Sequence, residues 1–379
     1  MNLALSNMGI VLTTLAVWVR QRSPKETFQP TWIHIPDTLA LWPWPRAINP
    51  YYEECKAESD AWIQSFNVFN PKAQAAFKRC EFALLAALGY PELNREGCHV
   101  GCDLMNLFFV FDEKSDISNE QETRYQANCI MDALRNPSRP RPPDEWVGGV
   151  IAQQFWQNGI KTVTPLCQKR FISSFQEYAD AVVQQSADRD KRHIHSIDSY
   201  FPLRRKTIGS VPSFALIEMQ FNIPNHVMSN PAIQQLTDLC TDMISIGNDM
   251  YSYNAEQSRG DEGHNLVTIA MNELGLCLQE AFDWIGRYHD HVATEFLSLY
   301  KHLPSFPDES EEVNKEVHAY VYGLGNWGGR YFGKDGLRIL KERKVKLLQK
   351  TCLDTMGIFK QTPSSGRPAE RLAANPSIV

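Results

Sequence analysis

The sequence predicts an all-α fold organised around one main helical domain. Three observations predict it. From Pro50 onward, apolar residues recur at helical spacing through a succession of helix-length segments. No run of alternating β-branched residues is long enough to build a sheet. No glycine-rich phosphate loop follows a strand, and no internal repeat is evident. At 379 residues the chain can bury a large core, in one big domain or two small ones.

The elements follow in order. Leu3 to Val19 is mostly apolar and is followed by Arg20, Arg22 and Lys25. No basic stretch precedes it, which argues against a secretory signal. It only reaches the lower length limit of a spanning helix. Three readings stay open: a weak membrane anchor, a packing extension, or sequence missing from the mature protein. The basic residues behind it would leave the main domain cytosolic if it did anchor. Residues 1–30 are therefore expected to form an apolar extension. Membrane contact would be confined to residues 1–19 and would not be required. Ser23 to Pro50 holds six prolines, two of them in Trp42-Pro43-Trp44-Pro45, and reads as an extended strap.

Helices are expected over Ala57–Phe69, Ala73–Leu88, Cys102–Phe111 and Glu122–Leu134. Asn136 to Asp144 is a proline-rich loop. Glu145 to Gln185 is long and periodic, with a break near Pro165. Further helices are expected over Ser213–Gln220, Ile233–Ala255, Asn265–Tyr300 and Glu311–Leu324. Lys341 to Lys350 reads as a basic helix end, and Gln361 to Val379 as a disordered tail. The working domain is expected over residues 31–360.

A formal charge of −6 argues against nucleic-acid binding, which wants a basic face. The nine cysteines show no disulfide framework. Cys98 and Cys102 are the only close pair, with no Cys/His partner set at zinc spacing. They are expected as reduced thiols, and the protein as cytoplasmic.

Two acidic clusters, far apart in sequence, carry most of the chemistry. Asp112-Glu113-Lys114-Ser115-Asp116 ends the apolar run Leu104-Met105-Asn106-Leu107-Phe108-Phe109-Val110-Phe111. Asn248-Asp249-Met250-Tyr251-Ser252-Tyr253-Asn254-Ala255-Glu256 is the second. Asp112 and Asp116 fall on one helical face, as do Asn248, Ser252 and Glu256. Carboxylate, amide and hydroxyl oxygens are hard donors suited to Mg²⁺, which keeps waters and shares its remaining sites with phosphate oxygens. Either cluster alone could be a solvated helix face. The aromatic residues just upstream of the first, and Ile244 one turn before the second, set these donors over apolar surface instead. Two such sets facing one cavity suit a substrate with an anionic head and a hydrocarbon tail.

On these residues the sequence resembles the class I terpene synthases, and most closely the sesquiterpene synthases of basidiomycete fungi, the protoilludene-synthase-like group. Asp112-Glu113-x-x-Asp116 is similar to the family's aspartate-rich motif. Asn248-Asp249-x-x-Ser252-x-x-x-Glu256 is similar to its second metal motif, and Arg330-Tyr331 to its C-terminal pair. The stretches Leu41–Pro45, Ala57–Trp62 and Gly260–Asn265 also resemble that group. The resemblance covers Ile33 to Lys360. It implies an all-helical bundle around a single deep cavity, and three Mg²⁺ ions bound with the diphosphate of farnesyl diphosphate. It implies Asp112 and Asp116, then Asn248, Ser252 and Glu256, as metal ligands. Arg205, four residues before Gly209, is implied as the diphosphate-sensing arginine, with Arg204 as the alternative. Arg330 and Tyr331 would also contact diphosphate, and Phe108 and Phe109 would face the cation once it forms.

Three features depart from the family pattern. Ala255 stands where Lys or Arg often precedes the final Glu, so a diphosphate contact would be missing or come from Lys206 or Arg259. The N-terminal apolar segment is not typical of the group. Gly328-Gly329 joins Trp327 directly to Arg330, where the group carries a longer helical stretch. The difference is about three turns, or ~15 Å, and the two glycines are expected to weaken the helix. The expected activity is Mg²⁺-dependent cyclisation of farnesyl diphosphate. The rivals are a chain-elongating prenyltransferase, which would show two Asp-rich motifs, and an inactive helical relative that binds prenyl diphosphate or a protein partner.

Overall fold

The computed structural model describes residues 32–259, 262–329 and 344–346. The N-terminal extension, Arg330 and Tyr331, and the C-terminal tail lie outside the described residues. The regular elements of the described residues are helices, apart from one short ribbon. Strand β1 (Trp32–His34) pairs antiparallel with β2 (Lys344–Lys346), Ile33 opposite Val345. This corrects the reading of Lys341–Lys350 as a helix end and the expectation of no sheet. Three-residue strands are too short to leave an alternating signal. Gln279 fastens β1 to the bundle, accepting from the His34 N–H at 2.9 Å and donating to its carbonyl at 3.0 Å.

The helices in order are α1 (Tyr52–Ser65), α2 (Pro71–Arg79), α3 (Phe82–Gly89), α4 (Arg95–Ser115), α5 (Glu120–Arg135), α6 (Gly148–Gly159) and α7 (Pro165–Lys191). They continue with α8 (Ile197–Thr207), α9 (Ser210–Ile217), α10 (Asn225–Met228), α11 (Pro231–Arg259), α12 (Leu266–Leu274), α13 (Leu278–Lys301) and α14 (Glu311–Gly328). A 3₁₀ turn, Glu262–His264, precedes α12.

Local chemistry sets the ends. The Asn94 side chain accepts from the Gly97 N–H at 2.9 Å to start α4. Asn119 and Glu122 form a reciprocal capping box on α5. Thr164 caps α7 with Pro165 at its first position, which supplies the break expected there. Two predicted segments divide. Ala73–Leu88 parts at Glu81, which is left-handed at φ 53°. Asn265–Tyr300 parts at Gly275, at φ 66°. Both interrupt the backbone without interrupting the apolar pattern, so periodicity runs through them. Helix α8 was not anticipated: only Tyr200 and Phe201 are buried on it, too few to make a stripe.

Helix α4 is buried along almost its whole length, from Gly97 to Phe111. Phe155, Phe171, Phe175, Phe214 and Phe296 fill the surrounding core. The proline-rich strap lies on the end of α14. Trp42 and Trp44 stack at 4.9 Å, and their indole N–H groups donate to the carbonyls of Gly325 (2.9 Å) and Tyr322 (3.0 Å). A side chain at Gly325 would overlap the Trp44 ring, and one at Gly329 the Trp42 ring. Of the two glycines expected to weaken this helix, Gly328 is its last residue and Gly329, which caps it, makes room for the Trp42 ring. No helix among the described residues is long and apolar enough to cross a membrane.

His289 on α13 is 2% exposed, and its Nδ1 has no hydrogen-bond partner among the described residues. Burial disfavours the imidazolium and holds its pKa down at about 4. The unfolded chain then binds the proton more readily than the folded one, so stability falls as pH drops from about 6.5 toward 4. We expect His289→Leu to flatten stability across that window, by on the order of 2–3 kcal/mol at its acid end. Urea unfolding of both proteins at pH 7.5 and pH 4.5 checks this.

Candidate active site

Helices α4 and α11 present their polar ends to one cavity of about 560 Å³. Asp112 and Asp116 come from the end of α4, and Asn248, Ser252 and Glu256 from α11. Phe108, Phe109, Tyr178, Ile244 and Trp327 supply apolar wall. Thus the structure brings all five expected metal ligands and both expected aromatics onto one cavity. Phe108 stacks parallel to Phe175 (5.4 Å, 4°) and meets Tyr178 edge-on (4.9 Å, 80°). Phe109 stacks on Phe82 at 3.6 Å. Both rings are held by other rings, so the faces they offer are fixed.

The arginines reverse the expected preference. Arg205 turns toward the outer side of α11, where Nε and Nη2 donate to Asp242 (2.8 and 2.7 Å) and Nη1 to Asp238 (3.1 Å). It does not line the cavity. Arg204 does, and it bridges Asn248 Oδ1 and Asp249 Oδ1. Adjacent helical residues point about 100° apart, and on α8 this turns Arg204 to the cavity and Arg205 to Asp238 and Asp242. The chain breaks between α8 and α9 at Gly209, where φ is 73° and a Cβ would lie 3.4 Å from the Phe108 ring. Lys206 instead pairs with Glu177 at 3.3 Å, and the Arg259 side chain lies outside the described residues.

Behind the second donor set sits Asp249, 1% exposed. Its Oδ2 accepts from the Tyr200 hydroxyl and from the Leu266 N–H, both at 2.6 Å. Its Oδ1 accepts from Arg204 Nη2 at 2.8 Å and Nε at 3.1 Å. Asn265 caps α12 through Val267 N–H and reaches back with its amide to Asp249 O (2.8 Å) and Glu256 Oε2 (3.0 Å). Burial first, and then the Asp249 charge, push the Glu256 carboxyl up to about 7. A carboxylate crowded in this way gains most from a nearby cation. No cluster of three or more His, Cys, Asp or Glu side chains converges as a metal site among the described residues. The first set is an acidic pair; the second is an amide, a hydroxyl and one carboxylate. That low charge count fits hard cations whose remaining positions are filled by water and by a bound anion.

Sequence reasoning missed the supporting residues Tyr200, Asp249 and Asn265. It also missed the cations at the rim, Arg189 and Arg192 of the α7 end, with His193 and His264 beside them. Arg189 lies 4.0 Å from Asp116 and donates to the carbonyls of Ser115 (2.7 Å) and Ser118 (2.8 Å). Asp249 stands inside the second motif without a role assigned to it, and the Gly260–Asn265 resemblance contains His264 and Asn265.

Because Asp249 is a buried charge with several donors, Asp249→Ala should lower stability by about 3–5 kcal/mol. Asp249→Asn, which keeps acceptor capacity, should cost less. Denaturant unfolding checks the order.

Comparison with known proteins agrees with this geometry. A family model described as terpene synthase family 2, C-terminal metal binding, matches residues 103–295. A delta(6)-protoilludene synthase of Stereum hirsutum is 49% identical over 326 residues, 83% of this chain and 88% of that protein. Sesquiterpene synthase 9 of Postia placenta is 45% identical, covering 86% of this chain and 96% of its own length. Among solved structures, an α-eudesmol synthase superposes with a TM-score of 0.69 at 22% identity, over 76% of this chain and 96% of that one. A hedycaryol synthase in complex with nerolidol gives 0.67 at 19% identity, over 79% and 99%. Matched by the metal-binding family model and closely related along most of its length to curated synthases, the chain belongs to the terpene synthase family.

Proposed function

We propose that this protein is a sesquiterpene synthase, a Mg²⁺-dependent carbon–oxygen lyase that ionises farnesyl diphosphate and cyclises the resulting cation. The observation that carries the reading is the division of one cavity into two surfaces. Oxygen donors and Arg204 gather at the ends of α4 and α11, and aromatic and aliphatic side chains line much of the rest. A diphosphate matches the first surface and a farnesyl chain the second. The curated relatives at 45–49% identity support this substrate, and those named delta(6)-protoilludene synthases favour a tricyclic product.

Asp112 and Asp116, with Asn248, Ser252 and Glu256, would hold three Mg²⁺ ions together with the diphosphate. When bound, such ions would supply positive charge against the charge that develops on the leaving group. Arg204 adds a planar donor at the same place, suited to phosphate oxygens. The carbon–oxygen bond breaks heterolytically, and the electron pair leaves with diphosphate. Fixed donors stabilise that transition state more than the ground state. The allylic cation then lies among Phe108, Phe109, Tyr178 and Trp327, whose ring faces stabilise it without attacking it. The apolar walls exclude water, which would quench it. Arg330 and Tyr331, outside the described residues, keep a diphosphate role on their motif alone.

Incubation with farnesyl diphosphate and Mg²⁺, followed by mass spectrometry of the volatiles, should yield sesquiterpene hydrocarbon. An absence of product from folded protein would count against the reading. Asp112→Ala and Asn248→Ala should each lower turnover by about 10²-fold or more with unchanged helical circular dichroism, and the two should not add. Arg204→Lys should depress turnover far more than Arg205→Lys. The reverse order would return the anion-binding role to Arg205.

A further inference from the structure

We propose that Gly89, which does not itself line the cavity, is a positioning residue that directs the product outcome by setting the tilt of Trp327. The proposal rests on the cyclase reading above and adds a second-layer determinant to it.

Gly89 is the last residue of α3, whose Phe82 and Leu85 do line the cavity. Its backbone does not require glycine: among the described glycines only Gly209 and Gly275 have positive φ. What the position does require is space. A Cβ at Gly89 would lie 2.9 Å from Trp327 Nε1 and 2.5 Å from Cζ2, with Cε2 closer still. Real Cβ atoms essentially never approach so near, so the indole would have to move.

The indole has little freedom to retreat from such a methyl. Tyr90 meets it edge-on at 5.1 Å and 74°, and Phe214 at 6.3 Å and 69°. Tyr90 is itself fixed. Its hydroxyl donates to Ser213 O at 2.8 Å, and a Cβ at Gly101 would lie 2.7 Å from its ring. Two glycines thus bracket a Tyr90–Trp327 pair. Gly101 lies on α4 about 16 Å before Asp112. The pair therefore belongs to the end of the cavity remote from the carboxylates, where the hydrocarbon tail would fold.

A second observation separates Trp327 from ordinary core packing. It is 3% exposed, yet its Nε1 has no hydrogen-bond partner among the described residues. A buried donor left unmade is unfavourable, and an apolar ring would avoid that. The indole is placed for its shape and its face. Competing ring closures of one cation differ by small barrier heights, so a displaced wall redirects them readily.

The test uses the full chain with Gly89→Ala, Trp327→Phe and the double variant. Each is assayed for thermal stability and for product ratio from farnesyl diphosphate. Gly89→Ala should melt lower and change the ratio of major to minor products by about threefold or more. In the Trp327→Phe background, where the overlapping indole atoms are gone, Gly89→Ala should change neither quantity appreciably. An unchanged ratio in folded Gly89→Ala overturns the proposal, as does an equal shift in both backgrounds. If Gly89→Ala does not fold, the double variant decides. Recovery of fold with the product ratio of Trp327→Phe supports the proposal, and failure of the double variant to fold overturns it. If the parent chain makes no terpene, the cyclase reading fails and the product role fails with it. The melting temperatures would still report whether residues 89 and 327 are coupled.

Discussion

The second half of the site depends on one buried carboxylate. Asp249 draws the Tyr200 hydroxyl and the Arg204 guanidinium from α8, and the Leu266 N–H from the start of α12, onto α11. Burying a charge is unfavourable unless donors surround it, and here donors come from two other helices. The same contacts that make the burial tolerable therefore fix three helices against each other. They aim Arg204 at the cavity, and they bring Asn265 to Glu256. Remove that carboxylate and the donor set loses the frame that orients it.

Opposite this polar frame, the cavity wall is built by rings seated on small residues. Phe108 lies against Gly209 and Trp327 over Gly89, and one layer back Tyr90 lies over Gly101. The same device recurs outside the cavity, where Trp42 and Trp44 lie over Gly329 and Gly325. At Gly89, Gly101, Gly325 and Gly329 the missing Cβ lets an aromatic ring approach backbone closely. A rigid wall suits a reaction whose intermediate reacts with whatever can reach it. Interiors packed at this density transmit displacement rather than absorb it, so residues one layer back can influence chemistry they do not touch.

Much of the fold was legible because helical periodicity survives without tertiary information. The helices around Phe108 and Asn248 lie where their apolar spacing put them, and the one that carries Trp327 starts where expected but runs past Leu324 to Gly328. The failures share a cause. Glu81 and Gly275 bend the chain inside a continuous apolar pattern, and α8 buries too few residues to display one. Strand pairing between β1 and β2 joins segments from opposite ends of the chain, which no local pattern reveals.

For the site, residue type and spacing within each motif were enough to nominate Asp112, Asp116, Asn248, Ser252 and Glu256. Side chains one helical turn apart share a face whatever the rest of the molecule does. Charge sign and donor hardness, too, belong to the residues themselves. Whether two such faces meet depends on how α4 and α11 pack, and that is a property of the folded chain. The choice between Arg204 and Arg205 has the same character. The sequence places two adjacent guanidinium groups, but only the orientation of α8 against α11 determines which reaches the cavity and which pairs with Asp238 and Asp242. The roles of Asp249, Asn265 and Gly89 lie entirely in tertiary structure, because their partners are brought near only by folding.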